Sequence, residues 1–295
     1  MQRIILTGAT GFLGKIISLN TASTIIKLGR HESSDIIIDL SKPIPQLPYA
    51  DIVVHAAGKA HAIPKTEKEK QEFFDVNVGG TKFLLSALEV NLPKSFIFIS
   101  SVSVYGLERG ININEDYALL AKDPYGLSKI QAEGLVMDWC KRNNVVCTIL
   151  RLPLLAGARP PGNLGAMIRG IAKGYYFNID GGRARKSVLL AENVATIIPK
   201  VAITGGIYNL TDGCHPSFKA LSSLIAEQLQ KKEPYNMPLY LAELFAKFGD
   251  LIGQKSPINS SKLNKITSDL TFDDSRARTM IGWCPTPVLK GFKIK

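Results

Sequence analysis

The chain has 295 residues, 45% hydrophobic and 21% charged, with a mean hydropathy of +0.08. That composition gives enough chain for one large core with or without a smaller lobe, and no apolar run approaches the roughly 20 residues of a membrane span. The formal charge of +11 is uneven: residues 1–150 hold 16 Lys and Arg against 15 Asp and Glu, while residues 151–295 hold 20 against 10. A basic second half points to an anionic ligand or surface, or simply to a basic solvated face. Nucleic acid is disfavoured, because the cations are dispersed and no zinc finger, aromatic RNA motif or clear helix-turn-helix accompanies them.

In chain order, "RIILTG" (3–8), "STIIKL" (23–28), "SDIIIDL" (34–40), "ADIVVHAA" (50–57), "KSFIFISS" (94–101) and "VVCTILRL" (145–152) are short, β-branched apolar runs suited to strands buried on both faces. Helical stretches at 12–20, 74–91 and 125–143 fall between them. This alternation predicts βαβ units and a doubly wound parallel sheet, an α/β fold. From about residue 156 the texture changes to a smaller, more basic lobe, with a strand and helix near 185–204 returning to the first domain, residues 1–155. The chain starts directly in a strand, which does not read as a secretory signal, and Cys140, Cys147, Cys214 and Cys284 lack metal spacing. Free thiols in a cytoplasmic protein without a bound metal are the expectation.

The first strand runs into "TGATGFLG". Gly8, Gly11 and Gly14, spaced three apart at a strand-to-helix junction, form the turn that lets a dinucleotide pyrophosphate rest on a helix N-terminus. Ala9 and Ile16 break the pattern of a nucleotide triphosphate loop. The second strand ends "KLGRH", without the acid that usually binds the adenosine ribose. Arg30 stands there instead and suits a ribose 2′-phosphate, which favours NADP over NAD; the plainer reading is a solvent-facing arginine in an NAD enzyme.

"YGLSK" (125–129) puts Tyr125 and Lys129 on one helix face. Alone the pair reads equally as surface chemistry of no consequence. Together with "TGATGFLG", "HAAG" (55–58), "NVGGT" (77–81), "SSVSVYG" (100–106), "LRLPLLAG" (150–157), "GNLGAMIRGIAKG" (162–174) and "LTFDDSRARTMIGWCPT" (270–286), it resembles the extended short-chain dehydrogenase/reductases in their NAD-dependent epimerase/dehydratase branch. The likeness covers almost the whole chain and is greatest to UDP-sugar 4-epimerases and 4-keto-reductases of bacterial surface-polysaccharide pathways.

The resemblance implies roles by position. Gly8, Gly11, Phe12, Leu13 and Gly14 would bind the cofactor pyrophosphate, Asp39 and Leu40 would border the adenine, and Ala56, Ala57 and Gly58 would line the cofactor. Asn77 would support the sheet and cofactor loop, and Pro153 would lie beside the nicotinamide. Tyr125 would be the acid/base, Lys129 its partner and Ser101 the hydroxyl that holds the reacting oxygen. Ser103, Asn163, Leu164, Arg185 and Lys186 would meet the substrate, the last two competing for its diphosphate with Arg183 nearby. A homodimer is also implied.

Free tyrosine titrates near pH 10, too high for a base at neutral pH, so Lys129 is expected to draw Tyr125 down. Dehydratases of this branch carry an Asp-Glu pair where this chain has Val102 and Ser103, which cannot protonate a leaving hydroxyl. Epimerisation and keto-reduction both remain open, as do a non-catalytic NAD(P)-binding sensor or scaffold and a reductase of a non-sugar ketone. His55 reads as a packed histidine, His61 as part of a polar loop able to close over substrate, and 237–253 as a helix packing the small lobe or touching a membrane or partner. Arg30→Ala is expected to raise the Michaelis constant for NADP about 10- to 100-fold and leave that for NAD unchanged. Steady-state kinetics with both cofactors decide this; an unaltered preference would remove Arg30 from the site.

Overall fold

The computed structural model describes residues 2–60, 62–252 and 258–294. The first half runs β1 (Arg3–Thr7), α1 (Phe12–Asn20), β2 (Thr24–Gly29), β3 (Ile36–Ile37), β4 (Ile52–His55), α2 (Glu67–Phe74), a π-helical turn (Asp75–Gly79), α3 (Gly80–Ala87), β5 (Ser95–Ser101), a 3-10 turn (Val102–Tyr105), β6 (Gly110–Ile113), α4 (Pro124–Arg142) and β7 (Val146–Leu152). The second runs β8 (Leu154–Ala156), α5 (Gly162–Ala172), β9 (Asn178–Ile179), β10 (Val188–Leu190), α6 (Ala191–Thr204), β11 (Gly206–Asn209), α7 (Phe218–Gln228), β12 (Asn236–Met237), α8 (Leu239–Ile252), α9 (Ser260–Thr267), β13 (Leu270–Phe272), α10 (Ser275–Ile281) and α11 (Val288–Gly291).

Seven strands form one all-parallel sheet in the order β11-β7-β5-β4-β1-β2-β3. The strand order reverses direction between β1 and β4, and there the carboxyl ends of the strands splay to leave a ligand crevice. Alternation along the strands sorts the core into two layers. Ile4, Leu6, Val54, Ile97 and Leu150 face α1 and α6, while Ile5, Val53, Phe96, Phe98 and Ile149 face α3 and α4. The sheet is therefore covered on both faces, as its continuous apolar strands require.

Two elements differ from the sequence reading. The run 34–40 yields only two paired residues, because β3 is an edge strand and the chain turns away at Asp39 to bond with Ser41. Within 185–204 the strand, β10, pairs with β8 in a separate two-stranded ladder. The strand that returns to the central sheet is β11, alongside β7, and α6 packs on the sheet beside it.

Helix α4 begins where Asp123 accepts the Gly126 N–H at 3.0 Å and Pro124 occupies the first turn. Its inward face carries Ser128, Lys129, Ala132, Glu133 and Val136. Glu133 meets Arg151 of β7 through two bonds, of 2.8 and 3.2 Å, with both side chains buried. Ser100 donates to the same carboxylate at 2.5 Å, and Arg151 also donates to the Tyr105 hydroxyl at 3.1 Å and the Glu115 carbonyl at 3.2 Å. Two consecutive serines of β5 thus have different fates: Ser100 is anchored below, and Ser101 is left at the sheet's carboxyl edge. Removing one charge leaves the other buried and unpaired, so Glu133→Leu should cost about 3–5 kcal/mol. The double variant Glu133→Leu/Arg151→Met should recover most of that loss, as read by urea unfolding midpoints.

Candidate active site

The turn after β1 is held by close backbone contact. Gly8 has φ of +71°, and a Cβ there would lie 2.7 Å from the Ala57 nitrogen. A Cβ on Gly14 would lie 2.1 Å from the Gly8 carbonyl oxygen. Gly8 and Gly14 thus serve packing, and Gly11 is the open one. It is exposed, caps α1 without a side-chain bond, and no acid stands in the first turn. The start of α1 therefore presents backbone N–H groups and a positive dipole end, which fits a pyrophosphate. Phe12 is half-buried against Gly157, and Leu13 is buried in the core. The Leu13 side chain cannot line a cofactor; only its backbone can take part.

Arg30 is exposed just past β2. Its charge helps to hold the Asp39 carboxyl below its ordinary range, although the larger causes are the Ser41 backbone and hydroxyl bonds at 3.0 and 2.8 Å. Leu40 packs towards the core beneath Gly80.

Beyond β4, Ala56 packs on the core and the Ala57 N–H donates to Thr7 Oγ1 at 3.1 Å. A relay that the sequence reading did not single out starts there. Thr81 gives its proton to the Asn77 carbonyl at 2.6 Å, so at 3.0 Å it must accept from His55 Nε2–H. His55 Nδ1 is then the acceptor for the Thr7 hydroxyl at 2.7 Å. Burial first, and the Lys129 charge second, push His55 down to about 3; the ring is neutral and fully bonded. Its apolar strand gave no sign of these partners. His61 lies outside the described residues.

Asn77 sits in the π-helical turn, a distortion that frequently marks functional sites. Its Oδ1 accepts the Lys59 N–H at 2.7 Å, and its Nδ2 donates to the Lys59 carbonyl at 3.1 Å and to Ser128 Oγ at 2.9 Å. The loop after β4 is thereby tied to α4 next to Lys129. Gly58 lies close against both Asn77 and Lys129: a Cβ there would be 3.0 Å from Asn77 Oδ1 and 3.4 Å from Lys129 Nζ.

Ser101, Ser103, Tyr125 and Lys129 converge at the carboxyl ends of β4 and β5. Ser101 Oγ accepts the Ser103 N–H at 3.1 Å, lies 3.1 Å from Ser103 Oγ, and is near enough to the Tyr125 hydroxyl to act on its titration. The Tyr125 ring stands edge-on to Phe73, centroids 6.2 Å apart. Val102 and Ser103 bring no carboxylate into the 3-10 turn. Pro153 is half-buried between β7 and β8.

One expectation is corrected here. Lys129 does not draw Tyr125 down in this arrangement. Burial raises the phenol above its ordinary value, and the nearby Ser101 hydroxyl opposes that only in part. The Lys129 amine instead donates to the Ile99 carbonyl at 2.8 Å and sits 4.6 Å from the Phe98 ring centre. Burial pushes it down to about 8, against the field of Glu133.

In the second lobe, Asn163 is exposed in the first turn of α5, whereas Leu164 is buried with Ala156, Ile171 and Val188. The Leu164 side chain is a core residue and cannot approach a diphosphate. Arg185 donates to the His215 carbonyl at 3.2 Å and the Cys214 carbonyl at 3.3 Å. Those two residues line a cavity of about 520 Å³ with Asp212, Asp274 and Arg278. Arg183 is exposed and paired with Asp180 at 2.5 Å. Lys186 differs: it is half-buried, its amine makes no hydrogen bond or ion pair with the described residues, and burial pushes it down to about 8. Of the three cations, it is the one left free for an anion.

The description "NAD dependent epimerase/dehydratase family" matches residues 4–210. The chain belongs to that family and is an enzyme of its NAD-dependent type. It is 30% identical over 218 residues to N-acetyl-alpha-D-glucosaminyl-diphospho-ditrans,octacis-undecaprenol 4-epimerase of Escherichia coli O157:H7, a match spanning 70% of this chain and 66% of that relative. It is 27% identical to UDP-glucose 4-epimerase of Vibrio cholerae, over 99% of this chain and 94% of the relative. The solved structure of RMD from Pseudomonas aeruginosa complexed with NADPH superposes with a TM-score of 0.72 at 22% identity, covering 98% of this chain and 96% of that one; this likeness bears on the fold.

Proposed function

We propose that the protein is an NAD(P)-dependent epimerase or 4-keto-reductase acting at C4 of a sugar diphosphate, a nucleotide sugar of the UDP class, in surface-polysaccharide assembly. The observation that carries this reading is the convergence of Tyr125 and Ser101 at the carboxyl edge of a doubly wound sheet, with Lys129 on the same helix. The relatives named for 4-epimerisation of sugar diphosphates support it. No acid occupies the end of β2, and the presence of Arg30 just beyond it favours NADP.

Ser101 holds the reacting oxygen as alcohol or carbonyl. Tyr125, protonated because burial raises it, gives its proton to a C4 carbonyl oxygen as that oxygen gains charge; in the reverse direction it receives the proton of the C4 hydroxyl. Lys129, on the same helix and facing Gly58, would hold the ribose of a bound nicotinamide cofactor. A bound nicotinamide supplies the partner for hydride transfer. The chain from Thr7 through His55 and Thr81 to Asn77 keeps the cofactor loop and α4 in register. Lys186, with no carboxylate bonded to it, holds the diphosphate.

Tyr125→Phe, assayed beside wild type on a panel of UDP-sugars, should lower kcat by about 10²–10⁴-fold with little change in KM; full activity in the variant refutes the assignment. Net oxidation of NADPH in the wild-type reaction marks a reductase, and interconversion without net consumption marks an epimerase. Lys186→Met should raise KM about 10- to 100-fold. The diphosphate favours protonated Lys186, so wild-type KM should be flat below the free-enzyme value of about 8 and rise as pH increases through it. The Lys186→Met variant should lack that rise, and its persistence there would assign the titration to another group.

A further inference from the structure

Helix α8 is built inside out. Ala242, Ala246 and Gly249 recur at helical spacing and are buried. The two alanines pack on Leu263 of α9, flanked by Ile179, Met237, Ile258 and Ile266. The large apolar residues occupy the opposite arc. Tyr240, Leu244, Phe245, Phe248 and Leu251 expose between 51% and 85% of their surface. Tyr240, Leu244, Phe248 and Leu251 fall at i, i+4, i+8 and i+11, which aligns them in one stripe. Glu243, Lys247 and Asp250 form a charged row along one flank. An ordinary surface helix turns its large apolar residues to the core, and a contiguous exposed patch of this kind marks an interaction surface.

We infer that α8 is an in-plane membrane-docking helix, and that its partner is the headgroup and upper acyl region of an anionic lipid bilayer. Its arrangement is that of an interfacial helix: an apolar arc, a charged edge, and an exposed tyrosine, Tyr240, with Tyr235 exposed just before it. Charge complementarity selects the occupant. Residues 231–265 hold six lysines against three carboxylates, the excess lying beside α8, whose own flank carries Glu243 and Asp250 against Lys247, within a second half that has twice as many cations as anions. Such a stretch is attracted to a negative lipid surface. The small residues beneath α8 let it lie close to the body, so the side chains that project can enter lipid without unfolding the lobe. The neighbouring helix, α9, reaches the loop that follows the 3-10 turn, where Lys265 pairs with Glu108 at 3.1 Å. Docking through α8 therefore sets the orientation of the lobe that flanks the candidate active site. The inference stands on α8 and does not depend on the substrate reading above.

The test is co-sedimentation of the full-length protein with vesicles of phosphatidylcholine alone and of phosphatidylcholine with phosphatidylglycerol. The variant is Leu244→Gln/Phe248→Gln, both exposed positions, with its oligomeric state and melting temperature measured without lipid. Wild type should pellet with the anionic vesicles and much less with the neutral ones. The double variant should lose about tenfold or more in partitioning while keeping its melting temperature and oligomeric state. Absence of wild-type pelleting, or equal pelleting of the variant, overturns the inference. So does dissociation of a soluble oligomer by the same substitutions, because the stripe would then be a protein interface.

Discussion

Helix α4 and strand β7 carry two cations, Lys129 and Arg151, into the interior, and Glu133 is the carboxylate that stands with them. Arg151 takes both oxygens of Glu133, and Ser100 donates to one of them as well. What reaches Lys129 from Glu133 is a field without a bond. That field does not offset the cost of burial, and Lys129 is left with a carbonyl, an aromatic face and a proton affinity near the working pH. An under-neutralised cation in a dry site gains from negative charge brought close to it. The buried pair thus fixes the helix and leaves the neighbouring lysine responsive.

The same charge dictates the chemistry of its surroundings. Burial, with the field of Lys129 second, keeps His55 neutral, which commits its ring to one donor and one acceptor role. Neutral bonds then run without a gap from the turn after β1, through Thr7, His55, Thr81 and Asn77, to Ser128 on α4. A charged histidine would repel Lys129 and lose the bond from Thr7. The cofactor loop and the helix bearing Tyr125 are therefore coupled by polar groups whose directions are all determined by hydrogen accounting.

Much of this framework was legible in the sequence, because each element announces itself locally. Continuous β-branched runs mark strands covered on both faces, and Asp123-Pro124 marks the start of α4. The glycine spacing locates the phosphate turn, but it did not reveal that Gly8 and Gly14 are required by backbone packing. Leu13 and Leu164 were assigned to ligands by their position beside functional residues, and the core claims both side chains. The π-helical turn around Asn77 was not legible in the sequence, where 74–91 reads as one helical stretch. Glu133 did have a signal, four residues beyond Lys129 on the same face. Its partner Arg151 lies on another element, and only the sheet register brings the two together. Pairings of that kind also decide the direction of the Lys129 amine, which is why the expected effect on Tyr125 is absent here.

The uneven charge of the chain acquires a structural meaning at Lys186. In the first half cations and anions nearly balance, and there an anion can be met by backbone N–H groups at the start of α1, which add no formal charge. The second lobe has short, separate ladders. Holding an anion there calls for side-chain cations left free of carboxylates: Arg183 is paired with Asp180, Arg185 meets carbonyl oxygens, and Lys186 has no bonded partner among the described residues. An excess of cations is the composition such a lobe needs, and it also biases the outer surface towards negative partners. Long-range attraction of this sort is weak and salt-sensitive, so it orients without holding. The apolar stripe on α8 has the opposite character, short in range and insensitive to salt. The two together give what neither gives alone: approach from a distance and retention on contact.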